Sequence, residues 1–130
     1  MSKEYKPQWF KSPFDHLKYT LVRDLEQCKK IKIDRELISL PQGANATTNF
    51  LSDEYGGNLE IVVYLPYSGV DLLMQQGLVI HESVHIWQEI KTMMGEKEPS
   101  IEFEAYSIQR IAQDLLYLLD LSNDLEKPAD

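Results

Sequence analysis

The sequence predicts an α+β domain in which a small sheet or hairpin is followed by two long helices, and three observations predict it. Ala46–Leu51 and Leu59–Leu65 are short stretches rich in apolar and β-branched residues on either side of a polar Gly56-Gly57-Asn58 turn, the pattern of a β-hairpin. From Val70 the period lengthens to that of a helix through Leu72, Leu73, Leu78, Val84 and Trp87, until Gly95 offers a stop near residue 94. After Pro99 the helical period returns from Ser100, carrying Ile108, Ile111, Ala112, Leu115, Leu116, Leu118 and Leu119.

Upstream of the hairpin, Ser12-Pro13-Phe14-Asp15 reads as a helix start, with Ser12 as N-cap, Pro13 at the first helical position and Asp15 closing the box. The spacing of Phe14, Leu17, Leu21, Leu25 and Cys28 then predicts an N-terminal helix. Ile31 to Leu40 mixes β-branched residues with Asp34 and Arg35 and ends at Pro41, so it is expected to be a short strand or an irregular connection. No repeat or linker divides the chain. Its 130 residues are 43% hydrophobic and 26% charged, values of an ordinary globular domain. One domain over residues 1–130 is expected, frayed over 1–11 and 122–130.

Charge and cysteine content narrow the function classes. Thirteen basic against 21 acidic residues give a net charge of −8, which repels phosphate backbones and anionic lipid alike, so neither a nucleic-acid nor a membrane partner is expected. The N-terminus MSKEYKPQWFKSPFDH lacks the apolar core of a signal peptide and no apolar run is long enough to span a bilayer, which predicts a cytoplasmic protein. Cys28 is the only cysteine, so any metal site must be built from histidine and carboxylate.

His81-Glu82-Ser83-Val84-His85 meets that condition. Two imidazoles four residues apart on a helix project from one face about a turn apart and can bind one ion, the spacing of the HExxH motif. Glu82, beside the first histidine, is placed to take a proton from water and pass it to a leaving amine. Catalytic zinc commonly takes three protein ligands, so a third is required. His16 lies far away in sequence, whereas Glu102-Phe103-Glu104-Ala105-Tyr106-Ser107 opens the last helix with two carboxylates. Glu104 shares the inward face of Ile108, Ile111 and Leu115 and is favoured, because a buried acid needs a partner. Glu102 is the alternative, although its place after a Ser100 cap is already explained by the helix dipole. The carboxylate that does not bind metal can orient a ligand histidine.

On these residues the chain resembles the gluzincin group of HExxH metallopeptidases, whose third zinc ligand is a glutamate on the helix after the motif helix. Eighteen residues separate His85 from Glu104, a spacing used by large aminopeptidases of that group, and Glu104-Ala105-Tyr106-Ser107 is similar to the ligand segment of thermolysin-like enzymes. Counting to Glu102 gives sixteen residues and an E-x-x-A pattern also found around gluzincin ligands. HESVHIWQ is similar to the HExxHxxQ helix of compact zincins of bacterial and phage genomes, and the resemblance runs from about Ala46 to Leu119. It implies a minimal zincin-like domain: a sheet whose edge strand can pair with an extended peptide, an active-site helix with HExxH, and a C-terminal ligand helix. It further implies one Zn2+ held by His81, His85 and Glu104, with Glu82 as base and a peptide or protein as substrate. The chain departs from the thermolysin-like pattern in having no downstream histidine as oxyanion donor, a role left to Tyr106, and no second lobe.

Two other expectations stand beside the peptidase. A metal-binding zincin fold without turnover would serve as a binding or assembly protein, with virion association in a phage. A metal-free helical interaction module would use Ile86, Trp87 and the acidic surface to engage a partner.

Overall fold

The computed structural model describes residues 4–12, 17–40, 42–52 and 59–125. Four strands form one sheet in the order β1-β2-β4-β3, with β1 at Phe10–Lys11, β2 at Leu17–Val22, β3 at Thr47–Leu51 and β4 at Leu59–Tyr64. Among the described residues three α-helices accompany it: α1 (Leu25–Lys30), α2 (Leu72–Met93) and α3 (Ile101–Asn123). The fold is therefore α+β, as its alternation of periods predicts.

The expected hairpin is present. β3 and β4 pair antiparallel, with Thr48 opposite Val63 and Phe50 opposite Ile61. The glycine turn between them lies outside the described residues. The two long helices also form where their periods predict. Asp71 caps α2 by accepting from the Met74 amide at 2.8 Å, and Ser100 caps α3 by accepting from the Phe103 amide at 3.1 Å. Gly95 takes φ +70° just past the end of α2, and its amide donates to the Thr92 carbonyl at 3.0 Å. That left-handed conformation favours glycine because it has no Cβ to clash.

The expected N-terminal helix does not form. Leu17 to Val22 is a strand, parallel to β4 with Leu17 opposite Leu59 and Val22 opposite Tyr64, while Phe10 and Lys11 pair antiparallel with it. The Ser12 amide donates to the Leu17 carbonyl at 3.0 Å, continuing the β1–β2 pairing instead of capping a helix. Pro13, Phe14, Asp15 and His16 lie outside the described residues. The physical reason is a shared pattern: Leu17 and Leu21 are four apart, but with Tyr19 they also alternate. As a strand all three enter the core beneath the helices, while Val22 points to the opposite face. The helix begins later and is short, with Asp24 as its cap. Between Ile31 and Leu40 the chain is irregular apart from a 3-10 turn at Arg35–Leu37.

The sheet is covered on both faces. α2 and α3 bury Tyr19, Leu21, Ile61, Val63 and Leu65 on one side with Val79, Ile86, Ile90, Ile111 and Leu115. On the other, Val22 and Val62 join Cys28 and Ile31, with Tyr5 and Trp9 packed against them. The chain ends expected to fray are thus held in part, and Ser122 is itself buried.

Two polar ties close the domain. Arg23, 2% exposed, donates from Nε to the Leu65 carbonyl at 2.5 Å and from one terminal nitrogen to Ser122 Oγ at 2.8 Å and Asn123 Oδ1 at 2.9 Å. The guanidinium also stacks 4.3 Å from the centre of the Tyr67 ring. Tyr19, fully buried, donates its hydroxyl to Asp114 on α3 at 2.5 Å. Burial and the acceptor carboxylate both push its phenol far above the usual tyrosine range. Removing only that hydroxyl, with Tyr19→Phe, is expected to cost roughly 1–2 kcal/mol, read as a lower midpoint in equilibrium urea unfolding. An unchanged midpoint would show that the strand-to-helix tie contributes nothing.

Candidate metal centre

The helical period of α2 decides what its motif can reach. Val79, Ser83, Ile86, Trp87 and Ile90 are buried, so His81, His85 and Gln88 fall on the outward face, where all three are exposed. Their spacing stacks them along one line. His81 Nε2 and His85 Nε2 face each other at 3.2 Å, with ring centroids 4.8 Å apart and the rings nearly perpendicular. Gln88 Oε1 lies 3.0 Å from His85 Nδ1. An amide oxygen can only accept, so Nδ1 carries the proton and Nε2 of His85 presents its lone pair toward His81.

That arrangement fits one shared ion. Zinc–imidazole bonds of about 2.0–2.1 Å that end on nitrogens 3.2 Å apart enclose an angle of about 100–106°, close to the tetrahedral value. Without an ion the same distance is served by one Nε2–H donating to the other ring. The outer partner of His85 is the kind of group that fixes ligand orientation at metal sites.

Glu82 takes a different direction. It is 6% exposed and accepts a hydrogen bond from the Thr48 hydroxyl on the edge strand β3. With His81 it lines a groove of about 420 Å3 between the start of α2, at Met74 and Leu78, and the chain leading into β3 at Ala44 to Ala46. A larger cavity, about 520 Å3, lies between the N-terminal segment and the end of α3. It has neither histidine nor cysteine in its lining, so its volume carries less chemistry than the groove.

The structure does not bring the expected third ligand to the histidines. Glu104 faces α2, as its inward position predicts, but it accepts from the Trp87 indole at 2.8 Å and lies 3.7 Å from Lys91 Nζ. Trp87 is two residues past His85, about 200° around the helix, so Glu104 sits on the other flank of α2. The burial cost that pointed to a metal is met by an indole N–H and an ammonium. Glu102 is exposed in the first turn of α3, and Tyr106, 66% exposed, points outward. Among the described residues no group of three His, Cys, Asp or Glu is placed to hold one metal ion. Ile86 and Trp87, expected to meet a partner in a metal-free module, are 0% and 2% exposed and belong to the core.

Two polar residues at the site went unassigned from sequence. Gln88 is legible in hindsight, since it stands three residues after His85 on one helix face. Thr48 carries no signal of its own, because which strand residue meets Glu82 depends on the sheet's placement.

Across protein-family models, curated proteins and solved structures, nothing matches this chain. Among the described residues no helix is long and apolar enough to cross a membrane.

Gln88→Leu keeps both imidazoles but removes the group that orients His85. It is expected to weaken zinc binding by about tenfold or more, measured by competition with a chromophoric chelator. Equal affinity in the variant would remove Gln88 from the site.

Proposed function

We propose that this chain is a zinc-dependent metallopeptidase whose metal is held by His81 and His85, with Glu82 as general base. The observation that carries this reading is the convergence of the two Nε2 atoms at 3.2 Å on one face of α2, beside a carboxylate that opens on the same groove.

When bound, zinc supplies Lewis acidity, polarising a scissile carbonyl and making a nearby water more acidic. The chain's own residues do the rest. His81 and His85 hold position through the helix, and Gln88 keeps the His85 lone pair directed at the shared point. Glu82 accepts the proton of the attacking water and returns it to the departing amine. Thr48 holds the other side of that carboxylate. Among the described residues β3 pairs with β4 alone, and its outer edge can take an extended peptide as one more strand. Ala44 to Ala46 lead that edge into the groove where His81 and Glu82 lie.

A second reading rests on Glu104. Its carboxylate is occupied by Trp87 and Lys91, and a two-histidine site is short of the usual three protein ligands. That favours a zincin-like protein that binds metal without turnover, acting as a binding or particle-assembly protein.

Glu82→Gln is expected to bind zinc as wild type does and to lose at least about a hundredfold in peptide hydrolysis, measured on a peptide library alongside metal content by mass spectrometry. Cleavage undiminished in the variant would rule out Glu82 as the base. Stoichiometric zinc with no cleavage by either protein would select the second reading. A purified chain that takes up no zinc would remove both.

A further inference from the structure

We propose that two copies of this chain share one zinc ion, each contributing His81 and His85, with the outward faces of α2 meeting about a two-fold axis through the ion. The inference rests on the reading of the histidine pair as a metal site and adds how that site is completed and restrained.

The first support is the donor count. Each chain presents two Nε2 atoms at the spacing of adjacent zinc ligands, both on exposed side chains. No third donor joins them among the described residues. Zinc in closed sites is bound by four protein ligands in a tetrahedron. A two-fold axis through the ion maps one pair onto the other, supplying four imidazoles from one repeated surface, the self-complementary arrangement of symmetric dimers.

The second support is the surface around the pair. In a chain with 26% charged residues, the stretch from Leu72 to Gln88 has one ionic side chain, Glu82, and that one is buried. The stripe of the histidines runs back along the helix through Met74, 45% exposed and uncharged. Loss of charge with exposed apolar residues is the composition of an interface centre. Gly77 lies on this side, and a Cβ there would meet nothing within 4 Å. A glycine inside a helix costs about 1 kcal/mol relative to alanine and leaves room for a second backbone to approach. The occupant is a second copy because this face supplies half of a tetrahedral donor set, no third donor joins it among the described residues, and a symmetry-related copy supplies the other half. Each chain carries a net charge of −8, which opposes association, and a dication shared at the contact lowers that repulsion.

The consequence is regulatory. Four imidazoles fill every position that a substrate carbonyl and water would need, so the dimer is a closed resting form and the monomer the open one.

The test is sedimentation velocity of the full chain titrated with zinc chloride, with calorimetry for stoichiometry. The expected result is a doubling of mass from 15.1 kDa that saturates at one zinc per two chains and reverses with chelator. Met74→Glu, on the stripe of the histidines at an exposed position that binds no metal, is expected to leave a monomer that still takes up zinc. His81→Ala should lose both binding and dimer. One zinc per chain with the mass unchanged overturns the shared site while leaving the metal reading intact. No zinc uptake overturns both. A dimer that forms without zinc and persists in His81→Ala also overturns the bridge.

Discussion

Burying Val79, Ser83, Ile86 and Ile90 against the sheet is the constraint from which the rest of α2 follows. With 3.6 residues per turn, that choice sends His81, His85 and Gln88 to solvent and turns Glu82 toward β3. The buried side is strongly determined, since Ile86 meets the inward residues of β2 and β4 within one continuous core. The histidine pair is therefore a by-product of packing in its position, though not in its chemistry. A helix needs something polar outside, and two stacked imidazoles with a glutamine to set one tautomer are more specific than solubility demands.

The same core needs its ends closed, and it uses polar groups to do so. Arg23 enters the interior at the C-terminal end of β2 and meets a carbonyl after β4 and two polar side chains at the end of α3. Burial draws its guanidinium below the usual arginine range, yet arginine starts so high that the charge persists. A charge held this way is costly to leave unpaired, so the three elements that satisfy it are fixed relative to one another. Tyr19 and Asp114 make a second crossing between sheet and α3. Together they anchor the helix hairpin whose first member carries the site.

Legibility in the sequence followed the length and exclusivity of each signal. α2 and α3 are long, capped by Asp71 and Ser100 and separated by a glycine stop, so every local cue agrees. The β3–β4 hairpin was legible for the same reason. The segment after Ser12 was not: a capping box and a four-residue leucine spacing pointed to helix, while Leu17, Tyr19 and Leu21 fit a strand equally well. The parallel partner that decides the matter, β4, is some forty residues away. At the site, the pair and the neighbouring glutamate were legible because they lie on one helix. The surroundings of Glu104 were not, since spacing along the chain says how far away a carboxylate is but not on which flank of α2 it arrives.

That flank can be weighed energetically. To bring the histidines round to Glu104, α2 would have to turn by about half a revolution. Val79, Ile86, Trp87 and Ile90 would then leave the core, at roughly 1.5–3 kcal/mol for each apolar side chain, or about 6–12 kcal/mol together. A total of that size is comparable with the whole stability of an ordinary domain, about 5–15 kcal/mol. The Trp87 indole would also lose its acceptor. Metal binding can stabilise the state it prefers, but it would here have to offset the loss of the core that makes α2 a helix of this register. The ligands beyond His81 and His85 are therefore to be sought on the outward side of α2, from substrate, solvent or a second chain, and the packing that denies the histidines Glu104 is what leaves that side available.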